Sequence, residues 1–162
     1  MLYAKPQGLC SWNYFLEGDG HHASLNFNRL GEQGAITADG IPFKVRKDGM
    51  LRRQWTLERS GEQVATARKS SVFTRTFEIL TRDDCLRLRA ASAFGRSFHI
   101  EHSNDVIAII APVHAFTRRA TIEILAPKID FAQISFSFWV VALTWRRAAR
   151  RRARNSSANA SG

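Results

Sequence analysis

The segment from Phe131 to Trp145 is the feature that most constrains how this chain can fold. It holds fifteen residues without a charge, and RRAARRRAR, with six arginines in nine positions, follows it directly. As a helix it would be about 22 Å long, whereas the hydrocarbon core of a bilayer is about 30 Å thick. The segment is short for a membrane span and too apolar for a water-facing surface, so it requires surroundings that enclose it.

The neighbouring residues predict a helix over residues 131–146. Pro127 interrupts whatever precedes it, Asp130 suits the N-cap, and Gln133 has the spacing of a capping box. Apolar side chains cover nearly every face, and a helix of that kind is buried in a core or in a membrane. A tail-anchored membrane protein is therefore an alternative, although it would translocate six arginines against the positive-inside rule.

Residues 11–126 show the alternation of apolar and polar side chains that is typical of β-strands. Phe43 and Val45, for example, alternate with basic residues. Turn pairs such as Asp39-Gly40 interrupt the alternation about every ten residues, which predicts roughly ten to twelve short strands. The predicted fold class is all-β with one C-terminal helix: an antiparallel barrel of about 12 strands that encloses the helix.

The length of 162 residues predicts one domain. We assign residues 1–147 to this domain and residues 148–162 to a basic helix extension with a polar tail, disordered from Asn155. The opening residues MLYAKPQGLC lack the pattern of a signal peptide. Because Cys10 and Cys85 are too few for a disulfide framework, we expect reduced thiols and a cytoplasmic protein, with peripheral membrane association as one option.

The basic charge is concentrated in the tail. Removing its six arginines from the 24 basic residues leaves 18 against 14 acidic residues, so the rest of the chain carries about +4 of the net +10. This balance favours anionic partners. The tail has three interpretations: a solvated helix end, a site for anionic membrane surfaces, or a site for nucleic-acid phosphates.

Four arginines outside the tail join the candidate anion site. Arg75 is in phase with apolar residues of its strand, which places it either at a barrel end in contact with water or in an anion site at the barrel mouth. Arg96, Arg118 and Arg119 flank turns. The predicted anion- and lipid-binding residues are Arg146, Arg147, Arg150, Arg151, Arg152, Arg154, Arg118, Arg119, Arg96 and Arg75.

The sequence offers no catalytic motif, and no catalytic residue is predicted. It contains neither a Gly-x-Ser-x-Gly element nor a phosphate loop, and its aspartates fall at turns. His99 and His102 would point to opposite faces of a strand, so neither a metal site nor a cofactor is predicted.

Serial amphipathic strands, a final buried helix and the run LRLRAASAFGRSFHIEHSNDVIAIIAP together resemble the tubby C-terminal-like superfamily, which includes the LURP-one-related proteins and the phospholipid scramblases. The resemblance covers residues 11–146 and implies a twelve-stranded barrel around a hydrophobic C-terminal helix. It lies in layout, since the chain lacks the Pro-rich segment, cysteine cluster and calcium-binding segment of scramblases. Phosphoinositide binding and lipid movement are activities associated with members of that group.

The sequence therefore predicts a non-catalytic binding module that associates with anionic phospholipid surfaces through the tail and barrel-end arginines. One alternative is a soluble protein-interaction or structural barrel whose basic tail only increases solubility. The others are a nucleic-acid binder and a tail-anchored membrane protein. A protein partner is compatible with this reading, and the oligomeric state is left open.

Overall fold

The architecture is that of a computed structural model, which describes residues 1–49, 53–71, 73–126 and 129–159. Twelve β-strands and one helix are present in these ranges. The strands are β1 (Leu2–Pro6), β2 (Tyr14–Gly18), β3 (His21–Phe27), β4 (Gly34–Ala38), β5 (Ile41–Lys47), β6 (Gln54–Arg59), β7 (Glu62–Lys69), β8 (Thr76–Thr81), β9 (Cys85–Ala90), β10 (Phe98–His102), β11 (Asp105–Pro112) and β12 (Ala120–Ile124). The helix α1 spans Phe131–Asn159.

The strands form a closed antiparallel barrel in which each strand pairs with its neighbours in sequence. Pairing of β1 with β12 closes it, with Leu2 opposite Ile122. The predicted alternation is confirmed in β5, where Phe43 and Val45 are buried and Lys44 is exposed. The predicted fold class is therefore confirmed. Closure satisfies the backbone groups that an open sheet would leave unpaired at its edges.

α1 begins where the sequence predicts. Its first residue, Phe131, follows Asp130, whose carbonyl oxygen accepts a 3.0 Å hydrogen bond from the backbone N–H of Ile134. The side chains of Asp130 and Gln133 do not form the predicted capping box with each other's backbone, within the part of the chain that the structure describes. Pro127, which the sequence analysis placed before the helix, lies outside the described residues.

The first half of α1 fills the barrel. Phe138 packs edge-on against Tyr14 of β2 with ring centroids 5.1 Å apart, and Trp139 stacks on Phe27 of β3 at 4.7 Å. Both helix aromatics are fully buried. The apolar segment is thus enclosed by the protein's own strands.

The helix is longer than predicted. We expected disorder from Asn155, but α1 continues through the arginines to Asn159. The described side chains from Ala149 onward are exposed, so local preferences hold this half together. Alanine and arginine are among the better helix formers, and they make up residues 146–154.

Candidate functional site

The two ends of the barrel are connected differently. Where α1 begins, tight turns join successive strands, and in Asp39-Gly40 and Ser103-Asn104 both residues have positive φ, as type I′ hairpins require. Where α1 leaves the barrel, longer loops surround the helix. We call this second end the basic end, because it carries most of the predicted site.

Three arginines of the basic end each bind the backbone of the next loop around the barrel. Arg75 donates to the β9–β10 loop, Arg96 to the β11–β12 loop, and Arg118 to the β1–β2 loop. The carbonyl oxygens and their distances are Ala93 (3.4 Å) and Gly95 (2.5 Å) for Arg75, Ala115 (3.0 Å) and Thr117 (2.7 Å) for Arg96, and Ser11 (2.5 Å) and Gly8 (3.1 Å) for Arg118.

The helix supplies a fourth arginine of the same kind. Arg146, 4% exposed, donates to three carbonyl oxygens of the β3–β4 loop. Those oxygens belong to Asn28 (2.9 Å), Arg29 (2.6 Å) and Gly31 (3.1 Å). The indole N–H of Trp145 donates to the Arg96 carbonyl at 3.0 Å. We call Arg75, Arg96, Arg118 and Arg146 the loop-binding arginines, since together they fix the loops around α1.

Aromatic rings lie against the guanidinium groups of the loop-binding arginines. The guanidinium of Arg75 lies 5.0 Å from the ring centroid of Phe98, and that of Arg96 lies 4.6 Å from Trp145. Burial lowers the pKa of Arg75, Arg96 and Arg146 from the ordinary value of a guanidinium. They stay charged at neutral pH nevertheless, because an arginine titrates so far above it.

An ion-paired cluster anchors the next residue of the helix. Arg147 forms a bidentate pair with Glu32, at 2.6 and 2.7 Å, and Lys47 lies 2.8 Å from the same carboxylate. Burial alone would raise the pKa of Glu32, but the hydrogen bonds and charges of Arg147 and Lys47 outweigh burial and lower it to about 2. Arg147 is therefore already neutralised by a partner within the protein.

The structure thus divides the ten predicted site residues into groups. Five contribute donors to structural contacts, namely the four loop-binding arginines and Arg147. Arg150 donates to the Arg29 carbonyl at 3.0 Å. For the guanidinium groups of Arg119, Arg151, Arg152 and Arg154, no hydrogen bond or ion pair joins them to another described residue. These four exposed arginines are the predicted residues most available to a ligand. We call the three that lie on α1, namely Arg151, Arg152 and Arg154, the outer arginines.

The longer loops also carry a feature that our sequence analysis missed. Five of them place one large apolar side chain in water, and we call these side chains the tip residues. They are Leu9 (96% exposed), Leu30 (97%), Phe73 (95%), Phe94 (98%) and Phe116 (102%). A sequence signal existed, because Phe-x-Arg occurs in three of these loops, as Phe73-Thr-Arg75, Phe94-Gly-Arg96 and Phe116-Thr-Arg118.

A cavity of about 500 Å³ lies between α1 and the loops that follow β7, β9 and β11. Seven basic side chains line it, and its described lining includes no carboxylate. The basic residues are Lys69, Arg75, Arg96, Arg118, Arg147, Arg151 and Arg152. Phe94 and Phe116 stand at the same cavity, so positive charge and exposed aromatic surface occur side by side.

Lys69 lies among several of these positive charges. It lines both that cavity and a neighbouring one of about 520 Å³, which Arg53, Arg154 and Glu32 also line. Burial lowers the pKa of Lys69, and the charges of Arg53, Arg147, Arg151 and Arg75 lower it further. An anion placed among these cations would relieve their mutual repulsion.

The opposite end of the barrel has a mixed character. A cavity of about 620 Å³ there is lined by Arg59 and Arg82 together with Glu62 and several aspartates. His21 lies 2.7 Å from Asp39 and stacks on Phe131. No group of three or more metal-binding side chains occurs in the described ranges. Cys10 and Cys85 are free and exposed, one at each end.

Comparison with protein-family models, with curated proteins and with solved structures found no match to this chain. Within the described ranges, no helix is both long enough and apolar enough to cross a membrane. The case for function therefore depends on the geometry and charge of the basic end.

Proposed function

We propose that the protein is a non-catalytic binding module that associates with anionic phospholipid surfaces through its basic end. The observation that carries this proposal is the cavity wall of seven basic side chains, which include the outer arginines Arg151 and Arg152 and have no carboxylate among the described lining residues. The layout of a closed barrel around an apolar helix supports membership of the tubby C-terminal-like superfamily, which is part of the proposal. A cytoplasmic location at the periphery of the membrane fits this proposed function.

The outer arginines make the main electrostatic contribution in this proposal. Arg151, Arg152 and Arg154 lie on the exposed half of α1, where their guanidinium groups reach solvent. A basic residue close to an anionic leaflet contributes about 1 kcal/mol, so these three supply about 3 kcal/mol. Such an interaction is screened by salt, with a Debye length of about 8 Å at physiological ionic strength.

Flotation with liposomes tests this function. The wild-type protein should float with vesicles that contain phosphatidylserine, and with purely phosphatidylcholine vesicles it should not. Raising the salt concentration should release it. The triple variant R151Q/R152Q/R154Q keeps good helix formers and the structural pairs of Arg146 and Arg147, so it should lose flotation while its circular dichroism spectrum stays unchanged.

A charge-matched variant provides the control. K44Q/R59Q/R82Q also removes three positive charges, from exposed positions on the barrel wall and at the opposite end, and it should float like the wild type. Equal flotation of both variants would contradict the proposal. Salt-sensitive binding to duplex DNA with no flotation would instead support the nucleic-acid alternative. If the protein neither floats with vesicles nor binds DNA, the protein-interaction barrel becomes the better interpretation.

A further inference from the structure

The tip residues are unusual in number, exposure and placement. Single exposed apolar residues are common on protein surfaces and need no explanation. Here, however, all described large apolar side chains with exposure above 90% lie in loops of the basic end. Leaving a side chain such as Phe94 in water forgoes roughly 1.5–3 kcal/mol of burial. Because five loops at one end of the barrel each expose an apolar side chain at this cost in free energy, we expect a partner that covers these side chains.

The loop-binding arginines hold the backbone beside four of the five tip residues, namely Leu9, Leu30, Phe94 and Phe116. Arg75 binds the carbonyls on either side of Phe94, and Arg96 binds those on either side of Phe116. Arg118 and Arg146 bind carbonyls that flank Leu9 and Leu30 in the same manner. With the backbone held on both sides of the tip, the side chain is directed outward and the loop is ordered before any partner binds.

We propose that the tip residues along one side of the basic end insert into the interfacial layer of an anionic bilayer, so that the barrel docks by this end. This inference rests on the proposed function and specifies how the protein sits on the lipid. Phe94 and Phe116 border the same cavity as Arg151 and Arg152. Apolar side chains can thus enter the acyl boundary while the guanidinium groups beside them meet phosphates, as in other interfacial membrane-binding elements.

The arrangement of the tips favours a bilayer over a protein partner. Each tip is almost fully exposed by itself, so the tips stand apart and do not form one flat apolar patch. A protein partner would need a separate pocket for each of them, because protein interfaces are packed as closely as protein interiors. A fluid bilayer accepts separate apolar tips without matching their spacing.

The projecting helix sets the orientation of docking. Residues 151–158 of α1 are exposed and extend about 12 Å, at about 1.5 Å per residue. A perpendicular approach would push this charged helix toward the hydrocarbon. The barrel must therefore lean to one side, which lays the outer arginines along the surface. The tips on that side belong to four neighbouring loops and are Leu9, Phe116, Phe94 and Phe73.

The native cysteines provide a direct test of insertion. Cys10 is adjacent to the tip residue Leu9, whereas Cys85 lies at the opposite end of the barrel, and both are exposed. The full chain would be labelled with an environment-sensitive fluorophore at Cys10 in a C85S background, and at Cys85 in a C10S background. Vesicles of phosphatidylcholine and phosphatidylserine, with and without spin-labelled acyl chains, are then added. We expect the Cys10 label to brighten and be quenched, and the Cys85 label to do neither.

Variants separate insertion from electrostatic attraction. F73S/F94S/F116S should bind the anionic vesicles roughly tenfold more weakly or worse, an affinity loss of at least about 1.4 kcal/mol. The matched control Y3S/L80S/L125S removes three partly exposed apolar side chains elsewhere and should bind like the wild type. Circular dichroism and thermal unfolding would verify that each variant is folded.

The outcomes distinguish the two proposals. If the wild-type protein does not bind anionic vesicles, the proposed function itself is wrong. Salt-sensitive binding by both the wild type and F73S/F94S/F116S, with an unquenched Cys10 label, would overturn insertion alone. A lipid-free dimer that dissociates when the three phenylalanines are replaced would also overturn it, because the tips would then be a protein interface.

Discussion

At the scale of single residues, the arginines of the basic end have two different roles. Arg96 donates to two loop carbonyls and stacks on Trp145. Arg119 lies in the β11–β12 loop that Arg96 binds, and its side chain is exposed. A planar guanidinium with five donors suits the first position, because it can reach two carbonyls and lie flat on a ring. A lysine cannot reproduce that geometry.

Replacing Arg96 with lysine should therefore destabilise the protein. We expect a loss of about 1–3 kcal/mol, since a lysine ammonium cannot hold both loop carbonyls while it lies on the Trp145 ring. Urea unfolding followed by tryptophan fluorescence would measure it. Arg119→Lys is the control, and it should change the free energy of unfolding by less than about 0.5 kcal/mol. Equal effects of the two substitutions would contradict a structural role for Arg96.

Glu32 predicts a specific acid sensitivity. Its pKa is about 2 in the folded protein, below the ordinary value of 4.5, so its stabilising contribution is complete above pH 4.5. That contribution, at most about 3 kcal/mol, is lost as the pH falls from 4.5 toward 2. Unfolding free energies measured across this window should fall more steeply for the wild type than for Glu32→Gln. Parallel curves would show that the pair with Arg147 adds no such contribution.

At the scale of elements, α1 is one helix in two environments. Val140 and Leu143 lie inside the barrel and are buried, whereas Arg151 and the described side chains beyond it are exposed. The inner half depends on packing, and the outer half depends on the local preferences of alanine and arginine. Isolated helical stretches of this length are marginal in water, so the two halves should differ in dynamics.

Amide hydrogen exchange should show this difference. Amides from Ile134 to Arg146 should exchange only through global unfolding, because the barrel encloses them. Amides beyond Arg151 should exchange much faster, through local fraying. Mass spectrometry of peptides from the two halves would measure both rates. Uniform protection along all of α1 would mean that the outer half has a partner within the protein.

At the scale of the whole molecule, the barrel and the helix share one core. Each of the twelve strands contributes two buried apolar side chains, and α1 supplies ten more. The strands cannot close without the helix to fill their interior, and the apolar helix cannot stay in water without the strands. Folding should therefore be cooperative, as it is for most single domains of this size.

Denaturant unfolding should accordingly show one transition. The midpoint from far-ultraviolet circular dichroism, which reports strands and helix, should coincide with that from tryptophan fluorescence. Trp139→Ala should lower the free energy of unfolding by about 3–5 kcal/mol, because it leaves a cavity at the centre, and it should shift both midpoints together. Separate midpoints would mean that the helix leaves the barrel before the sheet unfolds.

The sequence by itself determined the strands, the buried helix and their combination into a barrel. These features follow from local periodicity, as in the alternation around Phe43, and from a charge-free segment that needs an enclosure. The candidate site could be predicted from the sequence only in part. Arg75, Arg96 and Arg118 were recognised as barrel-end residues, but charge and position do not reveal where a guanidinium donates.

Only the tertiary structure decided the roles at the basic end. Whether an arginine binds a carbonyl or faces water depends on loops that are distant in sequence, as when Arg118 reaches Gly8. The exposure of Phe94 was hidden for the same reason, because an isolated phenylalanine in a sequence suggests burial, and here a neighbouring loop holds it outward. Periodicity is a local property of the chain, whereas exposure and hydrogen bonding are set by contacts across the closed barrel.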